Sequence, residues 1–218
     1  MPFPFIDNLR PLILASASPR RKDLLNQIRI PFRSEVSDVT EEDLCANPQN
    51  SACRLAVKKA KEVFINAGGS WILGADTIVA APNGVPAKEV EDEGPLHILL
   101  GKPTDEAEAA RMLRLLSGKS HMVVTGFCIL EPTGGTAHLE AVTSMVRLKD
   151  LTDREIESYV ATREPLGKAG GYAIQGIGSF MVSGISGSYT NIVGLPLYEL
   201  IQALVKIGAI RGFPLSPD

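Results

Sequence analysis

A short apolar run, Leu12-Ile13-Leu14-Ala15, passes through Ser16-Ala17 directly into Ser18-Pro19, and this junction constrains the fold more than any other stretch of the chain. Consecutive apolar residues bounded in this way predict a strand buried on both faces. Serine followed by proline predicts a helix start, with Ser18 at the cap and Pro19 at the first helical position. A buried strand that feeds a helix through small residues belongs to an α/β arrangement. The composition agrees: 44% hydrophobic and 22% charged residues in 218 exclude a disordered or fibrous chain. That length suits one large domain or two small ones sharing an interface.

The same alternation continues along the chain. A second strand is predicted over 30–36 and a polar loop over 39–50. Residues 51–67 form the clearest helix, with Ala52, Leu55, Ala56, Ala60, Val63 and Phe64 on one arc. Residues 72–79 read as a strand, Asn83-Gly84 as a turn, and 89–95 as a solvated polar insertion. A helix is expected over 104–116, capped by Thr104 and stopped at Ser117-Gly118. Two β-rich stretches, 121–130 and 137–148, flank Pro132-Thr133-Gly134-Gly135 and predict a hairpin. A helix over 152–161 opens on a Thr152/Glu155 capping box. A glycine-rich segment over 167–178, a strand over 179–185 and a closing helix over 195–207 follow. The chain has no internal repeat, low-complexity tract or obvious linker, and the expected class is α/β with some antiparallel pairing.

Several function classes are excluded early. With 22 basic and 25 acidic residues the net charge is −3, which argues against a general nucleic-acid polymer binder. No apolar run reaches membrane-spanning length and no signal peptide is evident. Cys45, Cys53 and Cys128 are widely spaced and form no CxxC pair, so free thiols in a reducing cytoplasm are expected. His97, His121 and His138 lack metal-ligand spacing. The P-loop pattern, an early GxGxxG and the GxSxG elbow are all missing.

What remains points to an anion. A helix N-terminus exposes backbone N–H groups, and Ser16, Ser18, Arg20 and Arg21 surround this one. Cations at a helix start are unfavourable unless an anion lies between them. Lys59 falls about 340° around its helix from Ala52, inside the apolar arc, so it needs an anionic partner or must snorkel to the rim. Asp76 stands among apolar strand residues, where a carboxylate is costly unless it meets a cation, a donor or a reacting water; a strand-end turn is the alternative. Glu41 alone reads as a solvated loop charge. Lys102 and Lys168 occupy glycine-flanked turns, and Gln175 puts an amide between apolar residues and Gly176; buried there, it can donate and accept, which suits a base edge or a structural hydrogen bond.

Four ordered motifs carry a resemblance: Leu14-Ala15-Ser16-Ala17-Ser18-Pro19-Arg20-Arg21, Gly74-Ala75-Asp76-Thr77-Ile78-Val79, Lys102-Pro103, and Lys168-Ala169-Gly170-Gly171-Tyr172-Ala173-Ile174-Gln175-Gly176. Together they resemble the Maf family of nucleoside triphosphate pyrophosphatases over residues 12–207. The resemblance implies a mixed elongated sheet flanked by helices, like that of inosine triphosphate pyrophosphatases. It implies one domain over 1–218, with two lobes around a central cleft. It implies hydrolysis of dTTP or UTP to the monophosphate and pyrophosphate, with Mg²⁺ or Mn²⁺, in a cytoplasmic homodimer. Asp76 matches the family's catalytic and metal-organising carboxylate, Glu41 its acidic loop residue and Lys59 its helix lysine. Arg20, Thr77 and Gln175 match the specificity positions, and Ser16, Ser18, Arg21, Lys102 and Lys168 complete the expected substrate contacts. The chain departs from the pattern at Gly167 and Thr40, where the family commonly has Asp, and Lys88 rivals Lys102 for one role. Two other readings stay open: a non-catalytic nucleotide-binding regulator of division, and the same reaction on a modified guanine triphosphate.

Overall fold

The computed structural model describes residues 3–39, 45–83 and 97–215. Thr40, Glu41, Gly84, Lys88 and the polar stretch 89–95 lie outside the described residues.

The Leu12–Ala15 run is strand β1, buried at every position. It lies between β2 (Phe32–Glu35) and β3 (Ile72–Pro82) and is parallel to both. Strand β3 is also antiparallel to β4 (His97–Leu100) and to β5 (Ser120–Leu130). The predicted hairpin is present: β5 pairs with β6 (Thr136–Leu148), and β7 (Val182–Ser186) closes that side antiparallel to β6. The result is one mixed seven-stranded sheet ordered β2-β1-β3-β5-β6-β7, with β4 on β3. Helices flank it, as expected for a mixed α/β chain.

Two features of β3 position the crevice beside it. First, β5 occupies one edge of β3 along most of its length, so β1 and β4 share the other edge. Strand β1 pairs only with Ile72, Leu73 and Gly74, and β4 begins its pairing at Val79. Residues 75–78 therefore have no strand neighbour on that edge among the described residues, because β1 has already turned away into helix α1 (Pro19–Gln27). A crevice opens where neighbouring strands diverge, and open α/β sheets place ligands in such crevices. Second, side chains alternate between faces. Ile72 and Ile78 pack against helix α2 (Pro48–Ala67), while Leu73 and Ala75 meet α1 and α6 (Leu197–Lys206) on the other face. Further along that second face, Val79 packs with α3 (Glu106–Leu116) and α4 (Asp153–Ala161).

Helix α2 lies unusually near the sheet because small residues meet there. A Cβ on Gly74 would fall 2.2 Å from the Ala56 carbonyl oxygen, and one on Gly126 would fall 2.4 Å from the Ala52 carbonyl carbon. Any larger residue at either glycine would hold the helix off.

Several local expectations are corrected. The cap of α3 is Asp105, whose carboxylate accepts from the Glu108 N–H; Thr104 instead donates its N–H and hydroxyl to the Glu108 carboxylate. Ser18 stands at the N-cap of α1 but its hydroxyl makes no capping bond. The strand expected over 179–185 begins only at Val182, after a 3₁₀ turn at Ile177–Met181. Helix α2 starts earlier than expected, capped by Asn47. Strand β4 and the short helix α5 (Tyr189–Val193) were not expected at all. Among the described residues no helix is long and apolar enough to cross a membrane.

Candidate active site

A cavity of about 470 Å³ fills the crevice beside residues 75–78. Every expected site residue that is described lines it. The start of α1 contributes Ser16, Ser18, Arg20 and Arg21; α2 contributes Lys59; β3 contributes Asp76 and Thr77. Lys102 comes from the turn after β4, and Lys168 and Gln175 from the glycine-rich segment. Glu41 and Lys88 cannot be placed, as they lie outside the described residues.

Lys59 is buried, as its position in the apolar arc of α2 requires, and its ammonium donates to Asp76 Oδ1. The close seating of α2 on Gly74 and Gly126 makes this reach possible. Asp76 is itself only 4% exposed, so the pair satisfies two charges that would each be costly alone. Asp76 lies on the α2 face of β3 and Thr77 on the opposite face, yet both border the cavity because the crevice cuts through the sheet edge.

Arg21 is buried and its guanidinium is engaged by the protein. Nε donates to the Gly194 carbonyl at 2.7 Å, Nη1 to Ser16 Oγ at 3.2 Å and Nη2 to Thr77 Oγ1 at 3.0 Å. It ties the start of α1 to β3 and to the turn after α5. Ser16 Oγ also accepts from the Ser18 N–H, which leaves the Ser16 proton to donate. Behind Thr77, a buried polar chain continues through Thr125 to the Asn191 carbonyl, and the Asn191 amide donates to the Val123 carbonyl and Ser144 Oγ.

Arg20 is half-buried and, among the described residues, makes no ion pair. Burial lowers its basicity, offset in part by the Tyr159 phenol. Lys168 is also shifted down, first by burial and then by repulsion from Arg20, against the pull of Glu164. Its ammonium donates to the Glu164 carbonyl. Gln175 is exposed at the rim rather than buried.

Sequence reasoning missed Glu164 and Tyr159. The Glu164 carboxylate accepts from the Ile177 and Gly178 N–H groups and from the Tyr159 hydroxyl. The signal was available: a carboxylate beside Pro165, just ahead of a glycine-rich stretch whose N–H groups need acceptors.

The charge census is lopsided. Five cationic side chains and one carboxylate line the cavity among the described residues, in a chain whose net charge is −3. Fold and cavity thus define an α/β protein with a strongly cationic crevice at the divergence of two strands, with a lysine-carboxylate pair in its wall. The chain belongs to the family described as Maf-like protein, whose profile matches residues 11–207. It is 47% identical to a dTTP/UTP pyrophosphatase of Syntrophotalea carbinolica, covering 93% of this chain and 87% of that one. It is 46% identical to a protein of the same description from Geobacter sulfurreducens, covering 91% and 97%. A solved dITP/XTP pyrophosphatase of Mycobacterium abscessus aligns at 17% identity with a TM-score of 0.41, over 65% of this chain and 75% of that one, too distant a likeness to bear on the site.

Proposed function

We propose that this chain hydrolyses dTTP and UTP to the monophosphate and pyrophosphate. The observation that carries the reading is the concentration of five cations around one buried carboxylate in a single crevice of an acidic chain. Such a site suits a polyphosphate, whose charge needs neutralising along its length. The relatives named above supply the choice of base.

The triphosphate lies across the start of α1, where backbone N–H groups and the Ser16 and Ser18 hydroxyls receive phosphate oxygens. Arg20, Lys102 and Lys168 contact it, and Lys59 adds charge from the wall. Arg21 lends charge and fixes Ser16 and Thr77 in place. Asp76 faces the α-phosphorus and takes a proton from an attacking water. The new P–O bond forms there, the α–β bridging bond breaks, and the electron pair leaves with pyrophosphate. Positioning and charge neutralisation supply most of the rate. Arg20, Thr77 and Gln175 select the base.

Among the described residues no group of three His, Cys, Asp or Glu side chains gathers to hold a metal unaided. Magnesium commonly takes one or two carboxylates and fills its remaining positions with phosphate oxygens and water. Asp76 fits Mg²⁺ or Mn²⁺ on those terms, and Glu41 enters this proposal as the second carboxylate from the family resemblance alone. Such an ion would polarise phosphate oxygens and offset their charge. One domain of two lobes over 1–218, a homodimer and a cytoplasmic location belong to the same proposal.

The test is pyrophosphate release from a panel of triphosphates, with metal and with chelator. The expected result is the highest kcat/KM for dTTP and UTP, loss of release with chelator, and loss of release in Asp76→Asn. Unimpaired turnover by Asp76→Asn refutes the assignment of the base.

A further inference from the structure

Gln175 sits on a stretch with no regular strand or helix to hold it, between Tyr172 and the 3₁₀ turn at Ile177–Met181. A side chain that discriminates bases by hydrogen bonds must be held within a fraction of an ångström, so something outside the loop has to fix it. Two side chains do. Upstream of Gln175, the Tyr159 hydroxyl accepts from the Ala173 N–H at 3.1 Å. Downstream, Glu164 Oε2 accepts from the Ile177 N–H at 2.9 Å and Oε1 from the Gly178 N–H at 3.0 Å. The two anchors are themselves joined, since the Tyr159 hydroxyl donates to Glu164 Oε1 at 3.0 Å.

The backbone fits this clamp closely. Gly176 has φ +100, and a Cβ there would fall 2.8 Å from Glu164 Oε2. A Cβ on Gly178 would fall 2.6 Å from the Tyr159 hydroxyl. Both glycines thus let the loop settle onto the pair. The Glu164 carboxyl is pushed toward the neutral form by burial, but the two N–H groups, the Tyr159 hydroxyl and Lys168 outweigh that and hold it below its ordinary range. It is an ionised acceptor, which makes the clamp stronger than a neutral one. Lys168 joins the same cluster through its bond to the Glu164 carbonyl.

We infer that Glu164 and Tyr159 are positioning residues for base selection: they hold the 173–178 loop so that Gln175 meets the base of a nucleoside triphosphate. This rests on the reading of the crevice given above. Neither residue is given contact with the substrate; both act through the loop backbone.

The discriminating substitution is Glu164→Gln, which keeps the volume but turns an NH₂ group toward a backbone N–H that needs an acceptor. Tyr159→Phe removes the hydroxyl alone and serves if Glu164→Gln does not fold. The assay compares kcat/KM for dTTP, UTP, dCTP and dGTP in wild type and variants, with KM and kcat resolved separately. The expected result is a fall of about tenfold in the preference for dTTP and UTP over the other bases, carried mainly by KM, in both variants. Faster amide hydrogen exchange confined to 173–178 should accompany it. An equal fall for all four substrates, or an unchanged preference, overturns the inference and leaves the pyrophosphatase reading intact. A wild-type chain that releases pyrophosphate from none of them overturns both.

Discussion

Removing the charge of Lys59 tests whether the buried pair behaves as its surroundings require. In Lys59→Met the apolar stem remains and the ammonium is lost, so Asp76 keeps a buried carboxylate without its cation. The two side chains are only 10% and 6% exposed, which puts the pair in the class whose rupture costs about 3–5 kcal/mol. Both residues border the cavity, so water can reach the orphaned charge, and the lower end, about 3 kcal/mol, is expected. In a chain of this size each kcal/mol moves the melting temperature by about 2–4 °C, so Lys59→Met should melt about 6–12 °C lower. Asp76→Asn should also cost stability, because it strands the ammonium. The double variant Lys59→Met/Asp76→Asn should recover most of the loss, since neither charge then lacks a partner. Thermal and urea unfolding of the wild type, both single variants and the double variant close the cycle. If the double variant loses the sum of the two single losses, the pair is uncoupled and the argument for a charge-compensated site fails.

Two further outcomes are expected. Gly74→Ala puts a methyl group 2.2 Å from the Ala56 carbonyl oxygen; it should destabilise by about 1–3 kcal/mol or more and, by lifting α2, part Lys59 from Asp76. Stability to unfolding and pyrophosphate release should fall together, and a variant that keeps both contradicts the tight seating of the helix. His121 is 1% exposed, with Nε2 bonded to the Tyr172 hydroxyl and no partner for Nδ1 among the described residues; burial lowers its pKa to about 4. The unfolded chain, with an ordinary pKa near 6.5, binds more protons between these values, so the stability is complete above about pH 6.5 and drains as pH falls toward 4. That amounts to about 3 kcal/mol. Urea midpoints at pH 7 and 4.5 should diverge in the wild type and much less in His121→Gln; equal divergence in both would clear His121 of the effect.

The local part of this molecule was readable. Helical periodicity put Lys59 inward, and the strand-to-helix junction at Ser16–Pro19 has the expected form. The hairpin and the Thr152 capping box depend on neighbouring residues alone, and both are present. What escaped depends on residues distant in sequence. Strand β4 is four residues long after a polar stretch, and it is a strand because β3 offers it an edge. Helix α5 is rich in β-branched residues, and Ser188 capping and the buried bonds of Asn191 hold it. The bonds from Arg21 to the Gly194 carbonyl and Thr77 hydroxyl escaped for the same reason, because neither partner is adjacent to it in sequence. Gln175 read as buried because apolar residues and glycine flank it, but the loop turns it outward.

Consecutive residues of β3 project to opposite sides of the sheet, and the crevice admits both. The Asp76 carboxylate is therefore wired to α2, while its neighbour Thr77 is wired through Arg21 and Thr125 to α1 and α5. One peptide bond thus separates a carboxylate held by Lys59 from a hydroxyl held by Arg21 and Thr125. The threonine side can therefore be rebuilt by substitution without disturbing the bond between Lys59 and Asp76.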